Sequence, residues 1–295
     1  MENVIEFHDV SKKFQTFSIN NIDLQIKQGY TTGFIGPNGA GKSTIIKLMM
    51  NLLQPDQGKV NVFGLDYASH EKEIKNRIGF VYDSNIYYES LNLKDISKIV
   101  APAYKQWDQK QFNKYVNQFE LPLNKSIKHF SKGMQMKASI AIALSHHAEL
   151  IIMDEPTAGL DPTFRRELLD IFQEIMVNEG RSLFFSTHTT SDLERFADYI
   201  VLVDKGKILL NQRFDELEEQ FILVKGSSDL LDRDTEAYFI NIERSQGVFQ
   251  ALAKDAANVQ TIFGDHIVIE KASLDEIMFH MKSAHRNKIQ NLTDK

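Results

Sequence analysis

The segment Gly36-Pro37-Asn38-Gly39-Ala40-Gly41-Lys42-Ser43-Thr44 carries the spacing G-x-x-x-x-G-K-[ST]. That spacing has a physical purpose. Glycines let successive backbone N–H groups curl round an anion without Cβ clashes. A helix opening near Lys42 would point the positive end of its dipole at the same place. Lys42 would supply a point charge to terminal phosphates, and the Ser43 hydroxyl would be free to ligate Mg²⁺. The β-prone run Tyr30–Ile35 precedes the loop, and Ser43–Leu53 reads as a helix after it. Strand, glycine loop and helix in that order argue against a chance glycine-rich turn.

Working outward, Val4–Val10 and Ile22–Ile26 alternate apolar and polar residues as strands do. Val60–Phe63, Ile78–Tyr82, Leu150–Met153, Ser182–Ser186 and Tyr199–Val203 are further strand candidates. Helices are expected at Leu93–Val100 after an Asn92 cap, at Trp107–Phe119, Lys132–His146, Phe164–Val177 and Ser191–Ala197. Strands alternating with helices predict an α/β domain built on a mainly parallel sheet. This domain is expected over residues 1–210, with a helical insertion at about 83–147. Residues 211–295 read as a small α+β domain. There, Phe221–Lys225 and Tyr238–Glu243 look like strands, and Val259–Phe263 and His266–Glu270 look like a hairpin about Gly264-Asp265. Ser273 to Glu276 forms a capping box before a helix over Leu274–Met281, and the chain from Ala284 reads as polar and frayed.

Composition narrows the function. The 295 residues are 42% hydrophobic and 25% charged, which are globular values. With 0 Cys there is neither a disulfide framework nor a thiolate metal site. A net charge of −6 is not the footprint of a nucleic-acid binder. The longest apolar runs, Ile140–Leu144 and Tyr199–Val203, fall far short of the roughly 20 residues a membrane helix needs. The N-terminus lacks the pattern of a secretory signal.

A second motif, Leu150-Ile-Ile-Met-Asp154-Glu155-Pro156, delivers two carboxylates at a strand end, where ligands of open α/β sheets bind. Asp154 is a candidate Mg²⁺ ligand, and Glu155 a candidate to orient or deprotonate an attacking water. An Asp-Glu pair is commonly a solvated turn; a phosphate loop in the same domain gives it this other meaning.

Phe130-Ser131-Lys132-Gly133-Met134-Gln135, Ala158-Gly159-Leu160-Asp161 and Ser186-Thr187-His188 complete an ordered set of motifs. Together they resemble the signature loop, D-loop and switch histidine of ATP-binding-cassette (ABC) ATPases. The resemblance spans roughly residues 1–210. It implies a P-loop NTPase fold, a RecA-like core plus a helical subdomain. It also implies ATP and Mg²⁺ as ligands. Phe130–Lys137, Ile78–Asp83 and the appended C-terminal domain further resemble the ATPase subunits of Gram-positive exporters of antimicrobial and amphipathic peptides.

The family implies a head-to-tail dimer, a homodimer or a heterodimer. ATP would lie between Asn38, Gly39, Gly41, Lys42, Ser43 and Thr44 of one chain and Ser131 and Gly133 of its mate. Asp161 would reach the opposite site, and His188 would contact the γ-phosphate of its own chain. Phe14 is favoured over the nearby Phe17 to stack on adenine. Two positions depart from the family pattern. Lys132 replaces the first of the paired signature glycines, and Asp83 stands where a Mg²⁺-sensing Gln is usual. Asp83 reads either as a Mg²⁺ ligand or as a plain turn residue. The resemblance implies a transmembrane permease as partner, a place on the cytoplasmic face of the cell membrane, and export. An importer ATPase, or a soluble ABC ATPase acting on ribosomes or DNA, are the alternatives.

Overall fold

The computed structural model describes residues 2–293. The chain divides into two compact units, residues 1–211 and 212–295. In the first, β1 (Asn3–Lys13), β2 (Ser18–Lys27) and β3 (Thr31–Ile35) lead into α1 (Lys42–Met49). There follow β4 (Gln57–Val62), β5 (Leu65–Asp66), α2 (Tyr67–Asn76) and β6 (Ile78–Val81). The insertion contributes α3 (Leu93–Val100), α4 (Gln109–Gln118) and α5 (Lys132–Leu144). The unit closes with β7 (Leu150–Met153), α6 (Pro162–Glu179), β8 (Ser182–Thr187), α7 (Thr190–Phe196), β9 (Tyr199–Asp204) and β10 (Lys207–Arg213).

Two sheets result. One has the order β10-β9-β3-β8-β7-β6, and β9, β3, β8, β7 and β6 pair in parallel. The other, β2-β1-β4-β5, is antiparallel. One apolar core joins them. Phe7, Ile19 and Leu24 of the antiparallel sheet, Phe34, Ile152 and Phe184 of the parallel sheet, and Ile45 and Met49 of α1 are all buried in it. Each such side chain contributes about 1.5–3 kcal/mol. The helix behind the phosphate loop is therefore packed against the antiparallel sheet as well as the parallel one.

Several boundaries differ from expectation. Helix α1 stops at Met49 rather than Leu53, because Asn51 turns left-handed (φ 55) and the Leu52 N–H returns to the Lys47 carbonyl. The Asn92 cap on α3 is as expected: its side chain accepts from the Asp95 N–H. β5, α2 and β10 are additional to the elements expected from the sequence.

The second unit contains α8 (Phe214–Gln220), β11 (Ile222–Ser227), β12 (Asn241–Ser245), β13 (Val248–Ala253), α9 (Ala256–Phe263), β14 (Ile267–Lys271) and α10 (Leu274–Thr293). Its sheet has the order β12-β13-β11-β14. The hairpin expected about Gly264-Asp265 is absent. Asp255 caps a helix by accepting from the Asn258 N–H, Val259 and Phe263 pack one turn apart into the core, and Gly264 ends it. The hairpin that does form is β12–β13, turning through Gln246 and Gly247, both at positive φ. Tyr238 lies in a short 3₁₀ turn rather than a strand. The capping box of α10 forms, with Ser273 and Glu276 exchanging hydrogen bonds, but the helix continues well beyond Met281.

His146 follows α5, ties the insertion to the parallel sheet and yields a pH prediction. Its Nε2–H donates to the Ile78 carbonyl (3.0 Å), and the ring stacks on Tyr104. Burial pushes the imidazole from 6.5 down to about 4, against hydrogen bonds that act the other way. The unfolded chain thus takes up the proton first. Stability is complete above pH 6.5 and declines by about 3 kcal/mol as pH falls toward about 4. His146→Gln should melt lower near neutrality and lose less on acidification. Parallel melting curves for the two proteins across that window would contradict this.

Candidate functional site: a phosphate cleft at the carboxyl edge of the parallel sheet

The parallel topology assembles the site. The loop leaves the end of β3, Asp154 and Glu155 leave the end of β7, and His188 leaves the end of β8, which lies between those two strands. Three segments remote in sequence thereby reach one edge.

The loop needs its glycines. Gly39 and Gly41 both have positive φ, 78° and 110°. A Cβ on Gly41 would lie 2.8 Å from the Phe17 ring and 2.9 Å from Ile19, so β2 and the turn before it press directly on the loop. Asn38, Gly39, Gly41, Lys42, Ser43 and Thr44 line a cleft of about 490 Å³, together with Phe17 and Glu155.

Lys42 is buried. Its Nζ donates to the Gly36 carbonyl at 2.8 Å and lies 3.0 Å from Glu155 Oε1. The other Glu155 oxygen lies 2.8 Å from His188 Nδ1. One carboxylate thus bridges the loop lysine and the histidine. Burial raises the Glu155 carboxyl, but Lys42 and His188 outweigh it and hold it below the usual range, so it is ionised at neutral pH. Glu155 sits in the left-handed region at φ 47, a strained conformation for a side chain of this kind. The Ser186 hydroxyl accepts from the Glu155 N–H (2.9 Å) and donates to Asp154 Oδ1 (2.7 Å). Ser186 therefore positions both carboxylates. The sequence marks it only as the residue that opens the Ser186-Thr187-His188 motif at the end of the apolar run Leu183-Phe-Phe, with no sign of this positioning role.

Phe17, not Phe14, lines the cleft. Phe14 is exposed and packs beside Phe17 with ring centroids 6.3 Å apart. Its N–H donates to the Phe17 carbonyl, so the tight turn between β1 and β2 carries Phe17 to the loop. Asp83, expected as either a Mg²⁺ ligand or a plain turn residue, stands in the turn after β6. It lines a separate cleft of about 190 Å³ with Lys132, Gln135 and Ser139, and accepts from its neighbour Ser84. The chain leaves the sheet at Val81, and the turn that follows faces α5 instead of the loop.

Ser131, Gly133 and Asp161 do not line the phosphate cleft. Ser131 caps α5, accepting from the Met134 N–H at 3.2 Å. Asp161 caps α6, accepting from the Thr163 and Phe164 N–H groups. Gly133 lies against the Phe164 ring, 3.0 Å from where its Cβ would be. Among the described residues no cluster of three or more His, Asp or Glu side chains could hold a metal. The oxygen donors present, the Ser43 hydroxyl in the cleft and the Asp154 carboxylate, have the hard character Mg²⁺ requires.

Fold and site define a P-loop nucleotide hydrolase of the cassette type. The ABC transporter family model matches residues 19–158. Over 225 residues the chain is 32% identical to the bacitracin transport ATP-binding protein BcrA of Bacillus licheniformis, covering 75% of this chain and 73% of that one. It is 30% identical to the protein of the same name from Enterococcus faecalis, covering 75% and 72%. A solved ATP-binding subunit of an ABC transporter superposes with a TM-score of 0.66 at 27% identity, over 73% of this chain and 92% of that one. A dimeric post-hydrolysis cassette bound to ADP and phosphate, 22% identical, shares the fold at a TM-score of 0.62 over 71% and 98%. The chain belongs to the ABC transporter ATP-binding family and is an ATP-hydrolysing enzyme. Among the described residues no helix is long and apolar enough to cross a membrane.

Proposed function

We propose that this chain hydrolyses Mg·ATP in a head-to-tail pair of ATPase subunits and that the cycle drives export of peptides or other amphipathic compounds through a separate permease. The observation that carries the chemistry is the Glu155 carboxylate held between Lys42 and His188 over the loop. The relatives named for bacitracin transport support a transport role and a peptide class of cargo.

The γ-phosphoryl group spreads charge over its oxygens in the transition state, so catalysis is mainly positioning and electrostatics. In this reading Lys42 leaves the Gly36 carbonyl for the phosphates, and the amides of Gly39–Thr44 complete the cradle. Phe17 offers its ring to the base. Glu155, released from Lys42, aligns the water, and His188 keeps the carboxylate oriented. Ser131 and Gly133 of the second subunit close the site; Ser131, though spent as a cap acceptor, still has its O–H to donate. Ser43 and Asp154 would hold Mg²⁺, which would supply positive charge to offset that of the phosphates.

Nucleotide touching both subunits favours the closed pair, and loss of the γ-phosphate removes that preference. Purification of the tagged chain from membranes tests the transport reading. Retention of an integral membrane protein is the expected result. Retention of ribosomal proteins or DNA-bound proteins in its place would overturn the reading.

A further inference from the structure

Lys132 occupies the first position of α5, where a cation opposes the helix dipole and no acidic residue stands in the first turn to offset it. The residue is exposed, but its ammonium is engaged by the protein. Its Nζ donates to the Ala158 carbonyl at 2.8 Å, in the turn that follows Glu155 and Pro156. The next residue makes room for it: Gly159 has φ +67, and a Cβ there would lie 2.7 Å from Nζ. The same turn is held from the other side. The Thr157 hydroxyl donates to buried Asp192 (2.9 Å), which also receives Arg165 Nε at 2.6 Å. Asp192 lies on α7, the helix that follows His188. The turn is thus strung between the start of α5 and the helix after the histidine.

We propose that Lys132 is a positioning residue: its ammonium braces the Ala158–Asp161 turn against the amino end of α5 within one chain. Movement of either element is thereby passed to the other, and the turn is aligned with the Glu155 that precedes it. The contact is solvent-exposed on the lysine side, so it adds little to global stability. Its value is geometric. A glycine at position 132 would leave the Ala158 carbonyl without this donor. The effect on turnover rests on the ATPase reading above; the brace itself does not.

Hydrogen exchange and steady-state turnover of the full chain test the two parts separately, using wild type, Lys132→Met and Lys132→Arg. Methionine keeps the length and apolar stem but cannot donate. Exchange of the amides in residues 158–161 should quicken about fivefold or more in Lys132→Met and return most of the way in Lys132→Arg. Turnover should fall about tenfold in Lys132→Met, with nucleotide affinity within about twofold of wild type, and recover in Lys132→Arg. Unchanged exchange in Lys132→Met would overturn the brace, whatever the nucleotide results. Faster exchange with undiminished turnover would overturn its role in the reaction. Wild-type protein that binds no ATP would overturn the site reading instead, leaving the exchange result to judge the brace.

Discussion

Glu155→Gln should hydrolyse ATP about 10²–10³-fold more slowly than wild type while retaining the nucleotide and eluting as an ATP-dependent dimer. Glutamine preserves the side-chain shape. It removes the charge that meets Lys42 at 3.0 Å and His188 at 2.8 Å. The carboxylate, 3.0 Å from the Lys42 ammonium, competes with phosphate for it, and loss of that charge frees the lysine for ATP. Binding should therefore be undiminished while the alignment of water is lost. That split between binding and turnover separates a role in the chemical step from a role in holding substrate. Single-turnover hydrolysis and gel filtration with ATP read both. A variant turning over at the wild-type rate would remove Glu155 from the mechanism.

Lys42→Ala should weaken ATP binding about 100-fold or more, equivalent to about 3 kcal/mol, by calorimetry. The ammonium is buried at the back of the loop, where a charge-assisted contact with phosphate is little screened by water. Its removal also takes away the ammonium 3.0 Å from Glu155, and the uncompensated carboxylate then repels phosphate. Unchanged affinity would reject the assignment of this cleft to nucleotide. The two variants share one geometry but fail differently: one binds and does not turn over, the other does not bind.

Local signals read well where chemistry is local. The phosphate loop depends on contiguous glycines, a lysine and a hydroxyl, and its place between a strand and a helix is written in the adjoining periodicity. The Asn92 and Ser273 caps are likewise interactions across three residues. Local reading failed where a long-range contact chose between two readings of the same residues. Val259–Phe263 carries a strand-like composition, yet Asp255 caps it as a helix, and the core takes Val259 and Phe263 from one face. Phe14 and Phe17 are indistinguishable as aromatic residues, and the turn between β1 and β2 determines which one meets the loop.

From its residues alone, the chain declares an α/β fold, a phosphate-binding loop and an ordered motif set that names its family. Tertiary structure alone brings Glu155 to Lys42 and His188, moves Asp83 to a separate cleft, and sets the Lys132 ammonium on Ala158. The reason is one of range. Caps and glycine turns are settled by neighbours within a few residues, whereas a bridging carboxylate requires three parallel strands to end at one edge.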